Sequence, residues 1–298
     1  MARNILVIAN PVAGRGRHPL LDRTLRLLLQ DGATITLRNT EYRDHVQTLV
    51  ADASAFDRVV VAGGDGTINE ALNGLVDVVD PPRLGFVPVG TSNVLAAELG
   101  IPTRAERLVE TLLGDQEKQL SLGKVNGRYF AMMVGIGLDA HLVRGVDPKL
   151  KRSIGALAYV TSFFRQVRDF SFPTFEVDVD GSHRRVCSLV VSNISRYGPR
   201  WIIAPHADPS ADDLQVCQLR SPSRWGRLAT AVAQYGGRYL GSETLVIDSA
   251  SERVIITGPE NEPVQADGEV VATLPATIRV ASRRVAVLSP DTPGTQES

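Results

Sequence analysis

Apolar and polar positions come in alternating blocks along the first part of the chain. Asn4–Ala9 is a short apolar run, ended by Asn10-Pro11 and a Gly/Arg-rich turn at 14–17. Leu20, Leu21, Leu25, Leu28 and Leu29 then recur at helical spacing. Strand patterns follow at 34–37, 58–62 and 84–87, and helical patterns at 44–53, 67–75, 92–99 and 103–113. Val59, Val60 and Val61 form a continuous apolar run of the kind a doubly covered strand carries. Thr67 with Glu70, and Thr103 with Glu106, stand at capping-box spacing. Strands alternating with helices predict a mostly parallel sheet covered on both faces.

The pattern changes near Leu122. Short strand patterns follow at 129–134, 174–179, 186–191, 214–219, 254–256, 264–266 and 278–280, several with alternation and bounded by turn residues. Helical patterns interrupt them at 150–167 and 225–239. The expected organisation is an α/β domain over 1–122, a β-rich domain over 123–290, and a small polar tail at 291–298.

Composition narrows the function. Of 298 residues, 43% are hydrophobic and 22% charged, which fits a globular chain with a sizeable core. The net charge of −1 argues against a dedicated nucleic-acid binder, which needs a cation surplus. Cys187 and Cys217 do not make a disulfide framework, so a reducing compartment is expected. No apolar run approaches the ~18 residues of a membrane span. The run from Ile5 to Ala9 is too short for a signal-peptide core and reads as a buried first strand. The expected location is cytoplasmic, with any membrane met from its surface.

The strongest chemical signal is the stretch from Val59 to Glu70, a buried strand, then Gly63-Gly64-Asp65-Gly66, then a helix start at Thr67. Glycines let a backbone approach a ligand closely, and the free N–H groups of a helix start attract phosphate oxygens. Pro88-Val89-Gly90-Thr91-Ser92-Asn93 repeats the logic after the next strand, and Asn10 to Gly16 after the first. A plain N-cap at Thr91 or Ser92 is the simpler reading of the second turn alone. Three polar glycine-bearing turns at the carboxyl ends of three strands would line one edge of one sheet, where open α/β folds bind ligands. No GxxxxGK[ST] or GxGxxG occurs, which disfavours a P-loop NTPase and a dinucleotide-binding Rossmann domain. HExxH and GxSxG are absent too.

These segments resemble the diacylglycerol kinase catalytic family, which includes bacterial lipid kinases, sphingosine kinases and ceramide kinases. The likeness rests on Asn10-Pro11, the run from Gly63 to Leu75, and the run from Pro88 to Pro102. It continues through Gly135 to Ala140, Leu150 to Tyr159, Ala204-Pro205 with Asp212, and Asp267-Gly268-Glu269. The resemblance implies an α/β domain followed by a β-sandwich, an active site in the cleft between them, and a last strand, near 285–288, that can return to the first domain.

It also implies roles. ATP would be contacted by Gly63, Gly64, Asp65, Gly66, Thr67, Asn69, Glu70, Gly90 and Thr91, with Asn10 and Thr40 nearby. Thr40 is the weaker match, because 41–45 departs from the small-residue pattern of the family, and it also reads as an ordinary strand-end threonine. Glu269 would be the base that takes the substrate hydroxyl proton, with Asp267 its partner or alternative and Asp65 a further contender. The bland reading of Asp267-Gly268 is a hairpin turn. Asp212, with the carbonyls of Pro209 and Leu214, would hold a structural Mg²⁺, although Asp213 stands where the family usually has glycine. A second Mg²⁺ would travel with ATP. Lys149, Lys151 and Arg152, with Arg184 and Arg185 elsewhere, could meet anionic lipid or simply face water. Trp201-Ile202-Ile203 could insert into lipid if exposed. The expected function is transfer of the γ-phosphoryl of ATP to a lipid hydroxyl, diacylglycerol or a related lipid. The alternatives are an NAD-kinase-like kinase of a soluble substrate and a non-catalytic nucleotide- or lipid-binding regulator. Val94, where diacylglycerol kinases often carry an acid, leaves the choice of lipid open. A homodimer is a family-level expectation.

Overall fold

The computed structural model describes residues 3–13, 18–145, 171–198, 201–220 and 245–290. The expected turn at 14–17, the helices at 150–167 and 225–239, the cluster Lys149, Lys151 and Arg152, and the tail at 291–298 lie outside the described residues.

The chain divides into two compact units, Met1–Leu120 with the chain from Arg283 on, and Ser121–Ser282. The first unit runs β1 (Asn4–Ala9), α1 (Pro19–Gln30), β2 (Thr34–Asn39), α2 (His45–Ala51), β3 (Arg58–Gly63), α3 (Asp65–Leu75), β4 (Arg83–Pro88), α4 (Val94–Glu98) and α5 (Ala105–Leu113). Its strands pair in parallel in the order β2-β1-β3-β4. The residues of β3 are all buried, and β1 and β4 are buried beyond their first residue, as the unbroken apolar runs require. The helix patterns hold, with shifted starts. α3 begins at Asp65 behind Gly64, so Thr67 lies inside the helix and does not cap it. α4 begins at Val94 with Asn93 before it in the left-handed region, which removes Thr91 and Ser92 as caps. Arg104 precedes α5 without a side-chain cap, and Glu106 instead pairs with Arg23 of α1.

The second unit opens within β5 (Glu117–Val125), at Ser121, and runs through β6 (Arg128–Phe130), β7 (Met133–Ile136), α6 (Leu138–Gly145), β8 (Phe175–Val179), β9 (Ser182–Val186) and β10 (Ser188–Ser192). It continues with β11 (Arg196–Tyr197), β12 (Trp201–Ile202), β13 (Leu214–Leu219), β14 (Leu245–Ala250), β15 (Val254–Thr257), β16 (Pro263–Ala266), β17 (Glu269–Thr273) and β18 (Ala276–Leu288). The single strands expected at 129–134 and 186–191 are each part of two, broken at Ala131-Met132 and at Cys187. One sheet has the order β14-β13-β10-β7-β16-β17, antiparallel throughout. Strands β18, β15, β8 and β9 form antiparallel pairs opposite it. Inward residues of both sets share one core: Val134, Ile136, Val191, Val216 and Val264 from the first, Phe175, Val177, Val254, Ile256 and Ile278 from the second. This is a β-sandwich, with alternation visible in β8 as Phe175, Val177 and Val179 inside and Glu176 outside. The far end of β18 pairs in parallel with β4, Val287 opposite Leu84, and so belongs to the first unit.

A charged anchor lies in the core of the first unit. Arg58 is fully buried, and its guanidinium donates to the carbonyls of Leu112 and Gly114 at 2.5 Å each and to Asp115 at 2.9 Å. It thereby ties the start of β3 to the end of α5. Arg58→Ala strips both carbonyls of their donor and is expected to lower unfolding free energy by about 2–4 kcal/mol. Urea denaturation measures this, and a loss below about 0.5 kcal/mol would mean the bonds carry no net stability.

Candidate functional site

Four parallel strands bring their carboxyl ends to one edge of the first unit, and the chain leaves each as a polar turn. The Thr40 N–H, just past β2, donates to the Ala9 carbonyl at 2.9 Å. Asn10, just past β1, donates from its own N–H to the Ala62 carbonyl of β3 at 3.0 Å. Its Nδ2 donates to Thr67 Oγ1 at 3.1 Å, and its Oδ1 accepts from Val12 N–H at 3.1 Å. Thr67 is therefore occupied as a strut between the β1 and β3 turns.

The β3 and β4 turns touch backbone to backbone. A Cβ on Gly90 would stand 2.3 Å from Gly64 Cα and 2.7 Å from Asn93 Oδ1. No side chain fits, so glycine is required by the close approach itself. Asn93 adopts φ +48° and folds back on this turn: its Oδ1 accepts from Gly90 N–H at 2.9 Å, and its Nδ2 donates to the Gly90 carbonyl at 3.0 Å. Asp65, first residue of α3, accepts from Leu95 N–H of α4 at 3.1 Å. Its carboxylate thus braces the second turn against the first. The amino end of α3 lies on this edge with Gly66 exposed and open space where its Cβ would be. First-turn N–H groups have no acceptor within their own helix, and the helix dipole adds partial positive charge there. The arrangement suits an anion such as a polyphosphate. Asn69 and Glu70 follow one turn later, both half-buried, and Thr91 is exposed beside Gly90.

The second unit carries the Asp267-Gly268-Glu269 turn between β16 and β17. Asp267 at φ +48° and Gly268 at φ +84° make the left-handed pair of a tight hairpin. The Asp267 carboxylate accepts three backbone N–H groups, Ala131 at 2.7 Å and Met132 and Met133 at 2.9 Å. Glu269 is 40% exposed, and one oxygen lies 3.2 Å from the Arg128 guanidinium. Behind the turn, the Gly268 N–H donates to Gln265 Oε1 at 2.9 Å. Gln265 Nε2 in turn donates to Asp139 at 2.6 Å, and the Tyr197 hydroxyl bonds the other Asp139 oxygen. Burial pushes the Asp139 carboxyl above the usual carboxylate range, opposed by the Tyr197 and Gln265 hydrogen bonds. Tyr197 and Gln265 are site elements that sequence reasoning did not single out, and Asn93 and Asp139 entered it only as parts of a polar turn and of a family segment.

The oxygen donors at the suggested metal loop fit a hard cation that keeps several waters. Asp212 is exposed, whereas Asp208 accepts from Ser210 N–H and Asp213 bonds the Ser249 hydroxyl of β14. The Pro209 carbonyl accepts from Ser121 N–H at 2.7 Å, which fixes the loop on β5. Among the described residues no group of three or more His, Cys, Asp and Glu is gathered around one point, so one carboxylate and carbonyls are what the loop offers. Of the suggested lipid contacts, Arg185 pairs with Glu176 and Arg184 lies 4.0 Å from Asp248, while Trp201 and Ile202 are half-buried and Ile203 is buried. Burial pushes the Cys217 thiol up to about 12, consistent with a packing role. No helix among the described residues is long and apolar enough to cross a membrane.

Residues 4–125 match the diacylglycerol kinase catalytic domain, and residues 132–289 match the YegS C-terminal NAD kinase beta sandwich-like domain. The diacylglycerol kinase of Bacillus subtilis (strain 168) is 28% identical over 298 residues, 95% of each chain. That of Staphylococcus carnosus (strain TM300) is 23% identical over 300 residues, 97% of this chain and 96% of the relative. Two crystal structures from Bacillus anthracis str. Sterne described as diacylglycerol kinases share the fold over 97% of both chains. Their TM-scores are 0.82 and 0.75, at 21% and 20% identity. Two domain matches in succession, over a parallel sheet with a phosphate-suited edge and a β-sandwich, place this chain in the diacylglycerol kinase catalytic-domain family.

Proposed function

We propose that this member of an ATP-dependent lipid kinase family phosphorylates the hydroxyl of diacylglycerol or a closely related amphipathic lipid. The observation that carries the kinase reading is the Gly64–Gly90 contact at the amino end of α3, which leaves bare backbone where phosphates would lie. Phosphoryl transfer asks mainly for positioned phosphates, neutralised charge and an oriented nucleophile. The α3 first turn, Gly90 and Thr91 would hold the phosphates, with Asn10 and Thr40 at the adjoining strand ends. Asp65 would keep the two turns together and face the cation that accompanies ATP.

Glu269 is the residue we assign as general base. Three backbone N–H groups occupy Asp267, so that carboxylate is committed to holding the turn. The Glu269 carboxylate takes the proton of the lipid hydroxyl. The lipid oxygen forms its bond to the γ-phosphorus as the bond to the β–γ bridging oxygen breaks, leaving ADP. Mg²⁺ bound with ATP would neutralise charge on the β- and γ-phosphates, and a structural Mg²⁺ would be held by Asp212 with the carbonyls of Pro209 and Leu214. The lipid acceptor implies that the chain works at a membrane surface, which we propose is the inner face.

ATP turnover on dispersed diacylglycerol, with other lipids and NAD⁺ in parallel, tests the reading. Phosphorylated diacylglycerol is expected, and product on NAD⁺ alone would replace the lipid by a soluble acceptor. Glu269→Gln is expected to lower kcat about 10²–10⁴-fold with the KM for ATP changed less than about twofold. Wild-type kcat in that variant would remove Glu269 as base. Gly90→Ala, which forces the two turns apart, is expected to weaken ATP binding at least about tenfold by titration calorimetry. Unchanged affinity would show that phosphates do not depend on the Gly64–Gly90 contact.

A further inference from the structure

Asp139 is 6% exposed and Gln265 2%, and the only side chains bonded to Asp139 among the described residues are those of Gln265 and Tyr197. Neither is a cation, so this carboxylate is costly to bury, and an apolar residue of similar size would cost less. The bonds run in one direction. The Gly268 N–H can only donate, so Gln265 must turn its oxygen toward Gly268 and its amino group toward Asp139. Asp139 must then offer an acceptor at that oxygen.

The surroundings are shaped for this chain of bonds. A Cβ on Gly135 of β7 would stand 1.6 Å from Asp139 Oδ2 and 2.8 Å from Gln265 Nε2, so glycine there opens the space the pair occupies. The β16–β17 register shifts between Val264 and Gln265, and such irregularities re-aim a side chain. With Asp267 fixed by the N–H groups of 131–133, the Gly268 peptide is the remaining part of the turn that needs an anchor.

We propose that Asp139 is a positioning residue: acting through Gln265, it fixes the Gly268 peptide and so sets the direction in which Glu269 presents its carboxylate. This rests on Glu269 as the general base. The fold alone would be served by any residue that fills the pocket, whereas the direction of a base is served only by the acceptor–amide–peptide order.

That order can be inverted without changing shape. Asp139→Leu matches the carboxylate atom for atom but offers no acceptor to the amino group of Gln265, and the chain breaks. Asp139→Asn alone leaves it intact, because the amide can turn its oxygen to Gln265 and its amino group to the Tyr197 hydroxyl. Combining Asp139→Asn with Gln265→Glu reverses the middle bond. The amide introduced at position 139 then donates to the carboxylate introduced at position 265. The other oxygen of that carboxylate accepts from the Gly268 N–H, and the Tyr197 hydroxyl keeps an acceptor. The experiment is steady-state phosphorylation of dioleoylglycerol in detergent micelles by the whole chain, giving kcat and both KM values, with near-UV circular dichroism on each variant. Asp139→Leu is expected to lose at least about tenfold in kcat, with the KM for ATP within about twofold, since small misplacements of a reacting group cost this much. The double variant is expected to keep kcat within about threefold of wild type. In a Glu269→Gln background, Asp139→Leu is expected to cost less than about twofold more, because the group it positions is already gone.

Wild-type kcat in Asp139→Leu, a loss of about tenfold or more in the double variant, or a full further loss of Asp139→Leu on top of Glu269→Gln would each overturn the proposal. If Asp139→Leu does not fold, Gln265→Met cuts the same link while leaving Asp139 with Tyr197. The same selective kcat loss is expected there, and wild-type kcat would overturn the proposal. Full activity of Glu269→Gln by itself contradicts the base assignment and is read independently of any variant at Asp139.

Discussion

The polar edge of the first unit, where the parallel strands end, depends on one backbone contact, that of Gly64 against Gly90. Two parallel strands lie side by side, and the turns that leave them must cross the same small volume. At Gly90 only glycine allows it, and at Gly64 a Cβ would already press on the Gly90 backbone at 3.1 Å. Once the turns touch, short polar side chains lock them. Asn93 closes the β4 turn on itself, Asp65 reaches to the α4 backbone, and Asn10 reaches from β1 to Thr67. Most of the family signature in this region is thus used to hold backbone in place, which leaves N–H groups rather than side chains to meet phosphate. The polyphosphate would be held by a rigid frame and need little rearrangement on arrival.

The second unit solves a similar problem with carboxylate acceptors. Its Asp267 and Asp139 are both spent on a single hairpin, one through three N–H groups and one through an intervening amide. Asn193 adds to the same region, donating to the carbonyls of Ser121 and Ala131 at 2.8 and 2.9 Å. The residue at the tip, Glu269, is by contrast half-exposed, with its side chain reaching Arg128. Rigid support behind an accessible carboxylate is what proton abstraction from a bound hydroxyl requires.

Much of the α/β unit was legible because its signals are local. The valine run of β3, the leucine stripe of α1 and the glycine turns each fall within a window of a few residues. The capping boxes misled because tertiary contacts claimed their residues: Thr67 serves Asn10, and Glu106 serves Arg23. Strands β5 and β14 were missed, the first because its early residues are exposed and polar, the second because Asp248 and Ser249 interrupt its apolar run. Gly135 carried a clue to Asp139, since a glycine inside a strand marks a close approach. The partner of Asp139, however, is Gln265, 126 positions later, and no spacing rule reaches that far.

The most direct test of the central claim is amide hydrogen exchange with and without Mg²⁺-ATP on the full chain. Binding at the Gly64–Gly90 edge should slow exchange at 65–67 and 90–93 while leaving the Arg58 end of β3 unchanged. Slowing elsewhere, with these amides unaffected by a bound nucleotide, would contradict the account.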